Sequence, residues 1–138
     1  MPRILSIDYG KKRTGIAVTD PAKIIANGLA TVETPTLMSF LSDYFSREDV
    51  ERVVLGLPTQ PNGQPSENQQ RVLTFLEKFK NRFPDKPIEF YDERFTSVLA
   101  HQAILNSGIG KKRRQQDKGL VDEISACIIL QSWMESKM

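Results

Sequence analysis

Little in this chain invites covalent cross-linking or insertion into a membrane. It carries one cysteine, Cys127, so no disulfide can close within it. Cys127 lies in the apolar run Ala126-Cys127-Ile128-Ile129-Leu130 with no cation near in sequence, and reads as a buried, inert thiol rather than a nucleophile. No apolar run approaches the roughly 20 residues of a membrane span. The segment Met1-Pro2-Arg3-Ile4 lacks the long apolar stretch and small-residue cleavage site of a secretory signal, so the cytoplasm is the expected location. The one histidine, His101, falls between Ala100 and Gln102 in a predicted helix and reads as structural or solvent-facing. Repeats, low-complexity tracts and internal linkers are missing too. What remains is 138 residues, 26% charged and 39% hydrophobic, the profile of one soluble globular domain spanning 1–138 around a single core.

The net charge of +2 is unevenly spread. Between Gly108 and Leu120 stand Lys111, Lys112, Arg113, Arg114 and Lys118 against Asp117 alone, so this segment is strongly basic and the remainder is slightly acidic. A second basic group, Lys11-Lys12-Arg13, follows Asp8 closely.

Periodicity gives a strand-rich start and a helix-rich end. Arg3 to Tyr9 alternates apolar and polar residues. Thr14 to Thr19 and Ile24 to Glu33 follow after the turn at Gly10-Lys11-Lys12 and after Asp20-Pro21, which predicts an antiparallel meander. Leu37, Phe40, Leu41, Tyr44 and Phe45 recur at helical spacing after Thr36. Arg52-Val53-Val54-Leu55-Gly56 is apolar without alternation, as a strand covered on both faces would be. Ser66 and Gln69 form a capping box before a helix with Val72, Leu73, Phe75, Leu76, Phe79 and Phe83 on its apolar face. Ile88 to Tyr91 reads as a short strand. Thr96 or Ser97 caps a helix running to Gly108, and a last helix runs from about Leu120 to Ser136, although Ala126 to Leu130 fits a strand by periodicity alone. The order β-β-β-α-β-α-β-α-α implies an α/β fold, a mixed sheet with helices on both faces. The first and fourth strands are expected to be central neighbours, with sites forming at the carboxyl ends of strands.

Three acidic positions sit where apolar segments end or begin: Asp8, the pair Asp92-Glu93, and Asp122. Each has an ordinary explanation. Asp8 two residues before Gly10 is a turn signal, Asp92-Glu93-Arg94 is compatible with a solvated cluster, and Asp122 with Glu123 suits the first turn of a helix. What favours chemistry is that all three coincide with element ends on one side of one sheet. Gathered there, the carboxylates would repel one another unless a divalent cation neutralised them. Oxygen donors suit Mg²⁺ or Mn²⁺, and a pair of such ions about 3.5 to 4 Å apart is a known device for phosphodiester hydrolysis. Gly10 and Gly15 would let a phosphate approach the backbone beside Asp8. Lys11, Lys12, Arg13, Thr14, Arg94 and Thr96, with the basic run Lys111, Lys112, Arg113 and Arg114, are candidates for holding nucleic-acid phosphates. Trp133 and Met134 read as core.

Taken together, Asp8-Tyr9-Gly10 with Arg13-Thr14-Gly15-Ile16-Ala17, Val54-Leu55-Gly56-Leu57-Pro58 with Asn62-Gly63, Asp92-Glu93-Arg94-Phe95-Thr96-Ser97, and Lys118-Gly119-Leu120-Val121-Asp122 with Ser125-Ala126 resemble the YqgF family, also called RuvX. The resemblance covers nearly the whole chain. It implies an RNase H-like fold, a cytoplasmic metal-dependent nuclease, and a role in maturing the 5′ end of pre-16S ribosomal RNA. Carried over by position, the acids would be Asp8, Glu93 and Asp122, with Asp92 a further candidate ligand. More distant RuvC-type resolvases place a glutamate at the end of the fourth strand, where this chain has Gly56-Leu57-Pro58; the resemblance therefore points to Asp92 or Glu93 for the missing acid.

The expected partner is structured RNA such as pre-16S rRNA, with branched DNA (a Holliday junction) the alternative, for a protein that is monomeric or a homodimer. Two other classes compete. Asp8 to Gly15 also resembles the phosphate loop of actin-like and sugar-kinase folds, but those need a second lobe for which 138 residues leave no room. A non-catalytic nucleic-acid-binding module would use the basic loop while the acids only shape the fold.

Overall fold

The structure is a computed structural model that describes residues 2–20, 25–57, 67–92 and 118–137. Five strands, β1 (Arg3–Asp8), β2 (Arg13–Thr19), β3 (Ala26–Glu33), β4 (Val50–Leu57) and β5 (Ile88–Asp92), are interleaved with helices α1 (Leu37–Arg47), α2 (Glu67–Arg82) and α3 (Lys118–Ser136). They form one sheet in the order β3-β2-β1-β4-β5. The first three strands run antiparallel as a meander, while β4 lies parallel to β1 and β5 parallel to β4. The expected mixed sheet is therefore present, with β1 and β4 as its central neighbours. The helix expected between Thr96 and Gly108 lies outside the described residues.

Alternation along the strands sorts the side chains into two layers. Leu5 and Ile7 of β1 join Val53 and Leu55 of β4 beneath α1 and α2, where Leu41, Tyr44, Val72, Phe75 and Phe79 complete a core. Ile4 of β1, Ala17 of β2 and Val54 of β4 face the other way, onto Ala126, Leu130 and Trp133 of α3. Because the side-chain period is two, a one-residue slip would turn each set to the wrong layer, so these two cores hold the register. Each fully buried Leu, Ile or Val contributes about 1.5–3 kcal/mol relative to exposure.

On α1 and α2 the buried residues follow helical spacing: Leu37, Leu41 and Tyr44 on the first, Val72, Phe75 and Phe79 on the second, whereas Leu73, expected on that face, is exposed because it follows Val72 by one residue and so turns about 100° away. Phe79 is fully buried and packs its ring against Phe45, Phe75 and Phe83 at centroid separations of 6.2, 6.0 and 5.0 Å. Phe79→Ala is expected to cost about 3–5 kcal/mol, lowering the urea midpoint with the slope unchanged.

α3 shows why its sequence carries no clean period. Almost every residue from Ile124 to Met134 is buried, Cys127 among them. A helix wrapped on most sides needs no polar stripe. Polar links fix it to the sheet: Ser6 Oγ donates to the Ala126 carbonyl at 2.7 Å, the Tyr91 and Ser132 hydroxyls are 2.7 Å apart, and the Ala26 amide donates to Gln131 Oε1 at 3.3 Å. Trp133 and Met134 belong to this core, as expected. No helix among the described residues is long and apolar enough to cross a membrane.

Some helix and strand ends differ from expectation. β3 begins at Ala26 rather than Ile24, after Asp20 Oδ1 accepts from the Ile25 amide at 2.9 Å. Thr36 is the N-cap of α1, yet its hydroxyl turns back to the Glu33 carbonyl. Ser66, the expected N-cap of α2, lies outside the described residues, and Gln69 Oε1 is buried without a hydrogen-bond partner among those described.

Candidate functional site at the carboxyl edge of the sheet

Asp8 is the last residue of β1, and the register defines what surrounds it. It stands opposite Gly15 of β2. On its other side Ile7 is beside Leu55, so the next position along β4 is Gly56, which in turn pairs with Tyr91 of β5. The aspartate is thus flanked by a glycine on both neighbouring strands, and no side chain crowds it from either. By the alternation that turns Ile4 and Ser6 toward α3, Asp8 emerges on the α3 face.

The same face receives the N-terminal half of α3. Ala126 accepts from Ser6, whereas Gln131 meets Ala26, which pairs with Thr19 near the amino end of β1. Read backwards, α3 therefore runs from the amino toward the carboxyl edge of β1. One further turn, about 5.4 Å, leads from Ala126 to Asp122, matching the two-residue step of about 6.7 Å from Ser6 to Asp8. α3 starts at Lys118, two residues earlier than expected, and has no acid in its first turn. Asp122 thus lies beyond the reach of the macrodipole explanation, which fades within one turn.

Asp92 ends β5 at the same edge, paired with Leu57. Its face is the opposite one: Ile88 packs on the α1–α2 core, and Phe90 and Asp92 share its parity, while Tyr91 packs on the α3 core. The side chain of Asp122 and all of Glu93, Arg94, Thr96, Lys111, Lys112, Arg113 and Arg114 lie outside the described residues. Among the described residues no three carboxylate, imidazole or thiolate side chains converge.

The β1–β2 turn after Asp8 is closely tied. The Thr34 hydroxyl donates to the Gly10 carbonyl at 2.6 Å, so the Thr14 hydroxyl, 3.0 Å away, is the donor to Thr34. The Thr34 amide donates to the Lys12 carbonyl. Thr14 is fully buried on the α1–α2 side, which assigns its hydroxyl to the turn rather than to a phosphate. A Cβ on Gly10 would collide with the Arg13 carbonyl oxygen, so closure of the turn requires glycine there, a nearer cause than phosphate approach. Lys11, Lys12 and Arg13 are exposed on this turn beside Asp8.

Sequence reasoning missed Asn68. Its Nδ2 donates to the Tyr9 carbonyl at 2.7 Å, while the Tyr9 ring packs on Phe75 with centroids 5.0 Å apart. Asn68 falls in line with Val72, Phe75 and Phe79, and a polar residue in an apolar helical stripe was the available signal. Burial pushes the Tyr9 phenol above its ordinary value, with nearby Arg71 drawing it partly back.

Comparison with known proteins bears on the same residues. The family model described as "RuvX: Holliday junction resolvase" matches residues 2–136. The chain belongs to the RuvX family. A relative from Phocaeicola vulgatus is 59% identical over 99% of this chain and 98% of its own length, and one from Flavobacterium johnsoniae is 58% identical over 99% of each; both carry the name "Putative pre-16S rRNA nuclease". Among solved structures, the Fowlpox virus resolvase in complex with Holliday junction DNA has a TM-score of 0.59 at 14% identity over 99% of both chains. T. thermophilus RuvC in complex with a Holliday junction substrate has 0.58 at 12% identity, over 99% of this chain and 96% of that one. At these identities the two structures establish the fold alone, which is RNase H-like.

Proposed function

We propose that this RuvX-family protein is a divalent-metal-dependent nuclease that hydrolyses phosphodiester bonds in the 5′-end maturation of pre-16S rRNA. The observation that carries the reading is the full-length match to relatives bearing that nuclease name, joined to an aspartate placed at the carboxyl edge of an RNase H-like sheet. Asp8, Glu93 and Asp122 are the ligands we assign, with Asp92 subordinate. Their oxygen-only donor set suits Mg²⁺ or Mn²⁺, and the glycines at positions 15 and 56 put no side chain beside Asp8 on either neighbouring strand. Bound there, divalent ions supply positive charge that assists water attack on the phosphodiester and departure of the leaving oxygen.

The chain's own residues do the rest. The end of β1, locked by Leu5 and Ile7 in the core, holds the Asp8 carboxylate in place. Lys11, Lys12 and Arg13 beside it, with Arg94, Thr96, Lys111, Lys112, Arg113 and Arg114, are assigned to the phosphates of the substrate, contacts that position a strand without reading its bases. The site of action is the cytoplasm.

Junction resolution is the second reading, favoured by the description of the family model. Symmetrical cutting of two strands generally requires paired sites about a two-fold axis. The deciding experiment offers the purified protein both a 16S precursor with its 5′ extension and a four-way DNA junction, with Mg²⁺ or Mn²⁺. Trimming of the precursor is expected. Nicked duplexes from the junction with the RNA untouched would transfer the activity to DNA, and no cleavage of either would leave a binding module.

A further inference from the structure

The turn after Asp8 leans on α2 in two places. Asn68 holds the Tyr9 backbone and Phe75 holds its ring, and these residues are seven apart on one side of the helix. Arg71 lies between them, next to the buried Val72, on the exposed border of the same stripe. Two residues beyond Tyr9 come Lys11 and Lys12, both exposed on a turn whose Gly10 and Lys12 carbonyls are bound by Thr34. No ion pair joins Lys11, Lys12 or Arg71 to an acid among the described residues. Two lysines on a braced turn, with an arginine on the helix that holds the turn, gain most from a polyanion, whose phosphates replace their repulsion with attraction.

We propose that Arg71, with Lys11 and Lys12, forms a phosphate-binding patch that carries the substrate strand away from Asp8 over the α2 side of the sheet edge. Arg71 is a positioning residue in this arrangement, and the inference rests on the nuclease reading of Asp8. The patch grips the backbone and is indifferent to the sugar, so RNA and DNA strands of one sequence are held alike.

The test measures binding of a fluorescein-labelled 20-nucleotide single-stranded RNA, and of DNA of the same sequence, by anisotropy over a range of KCl, in an Asp8→Asn background that leaves the strand uncut. Arg71→Gln should lower the slope of log affinity against log salt by about 0.7, the loss of one single-strand phosphate contact. At 0.1 M salt that is about a five-fold weaker complex relative to a 1 M reference. Arg71→Lys should restore the slope, and Lys11→Gln with Lys12→Gln should lower it further. In the otherwise wild-type enzyme Arg71→Gln should raise KM and leave kcat nearly constant, a split that loss of fold would not produce. An unchanged slope in Arg71→Gln with oligonucleotide binding intact overturns the patch alone. Failure of the parent protein to bind either strand at low salt would overturn the nuclease reading and the patch with it.

Discussion

Asp8→Asn is expected to reduce phosphodiester cleavage by on the order of 10³-fold or more, because ligand charge that holds divalent ions is worth several kcal/mol in the transition state. The fold should survive. Asn keeps the volume of Asp, the residue ends its strand, and the anchors of β1 are Leu5 and Ile7, each fully buried. A second readout separates loss of a ligand from other causes of inactivity. Binding of Mn²⁺ to the native state at 100 times its Kd adds about 2.7 kcal/mol of stability, on the order of 10 °C in Tm for a domain of this size. The wild type should show that rise on adding Mn²⁺ and Asp8→Asn should not. An Asp8→Asn protein that unfolds would return Asp8 to the role of a turn residue, and one that keeps the full Mn²⁺ shift would show that the ion sits elsewhere.

How far the site could be read from sequence depends on whether the relevant contact is local. The alternation of β1 and the unbroken apolar run of β4 are local patterns. They point to the central pairing of these strands and to helices on both faces, whereas the single core expected from length is two layers, one on each face of the sheet. The helix α3 starts at Lys118 and includes Gly119, although a glycine in a helix costs about 1 kcal/mol, whereas the apolar spacing that marks the helix in the sequence begins only at Leu120. Thr14 and Asn68 were opaque for a different reason. The partners that define them, Thr34 and the Tyr9 carbonyl, are 20 and 59 residues away, and nothing in the sequence near either residue records that the fold will bring them together. The glycine on each side of Asp8 is a similar case. Gly15 and Gly56 are visible in the sequence, but their common level at the edge of the sheet follows only from the register of β2 and β4 against β1.

The register sets Asp92 on the face away from Asp8 and the family resemblance names Glu93, so Glu93→Gln is expected to be nearly as damaging as Asp8→Asn while Asp92→Asn stays within about ten-fold of the wild type. Tyr91 reaches toward α3, where its hydroxyl meets Ser132, and Asp92 shares the opposite parity with Ile88 on the α1–α2 core. β4 offers only Gly56 beside Asp8, so the ligand set proposed above draws its second acid from beyond that strand. If Asp8, Glu93 and Asp122 hold ions in common, their losses will not add: the doubly substituted Asp8→Asn/Glu93→Gln protein should be about as inactive as either single variant, and Asp122→Asn should behave in the same way. Single-turnover cleavage of the precursor RNA at saturating protein measures all of these on one scale. A severe loss in Asp92→Asn with Glu93→Gln little affected would reverse the assignment, and full multiplication of the single losses in the double variant would mean that the acids do not share a site.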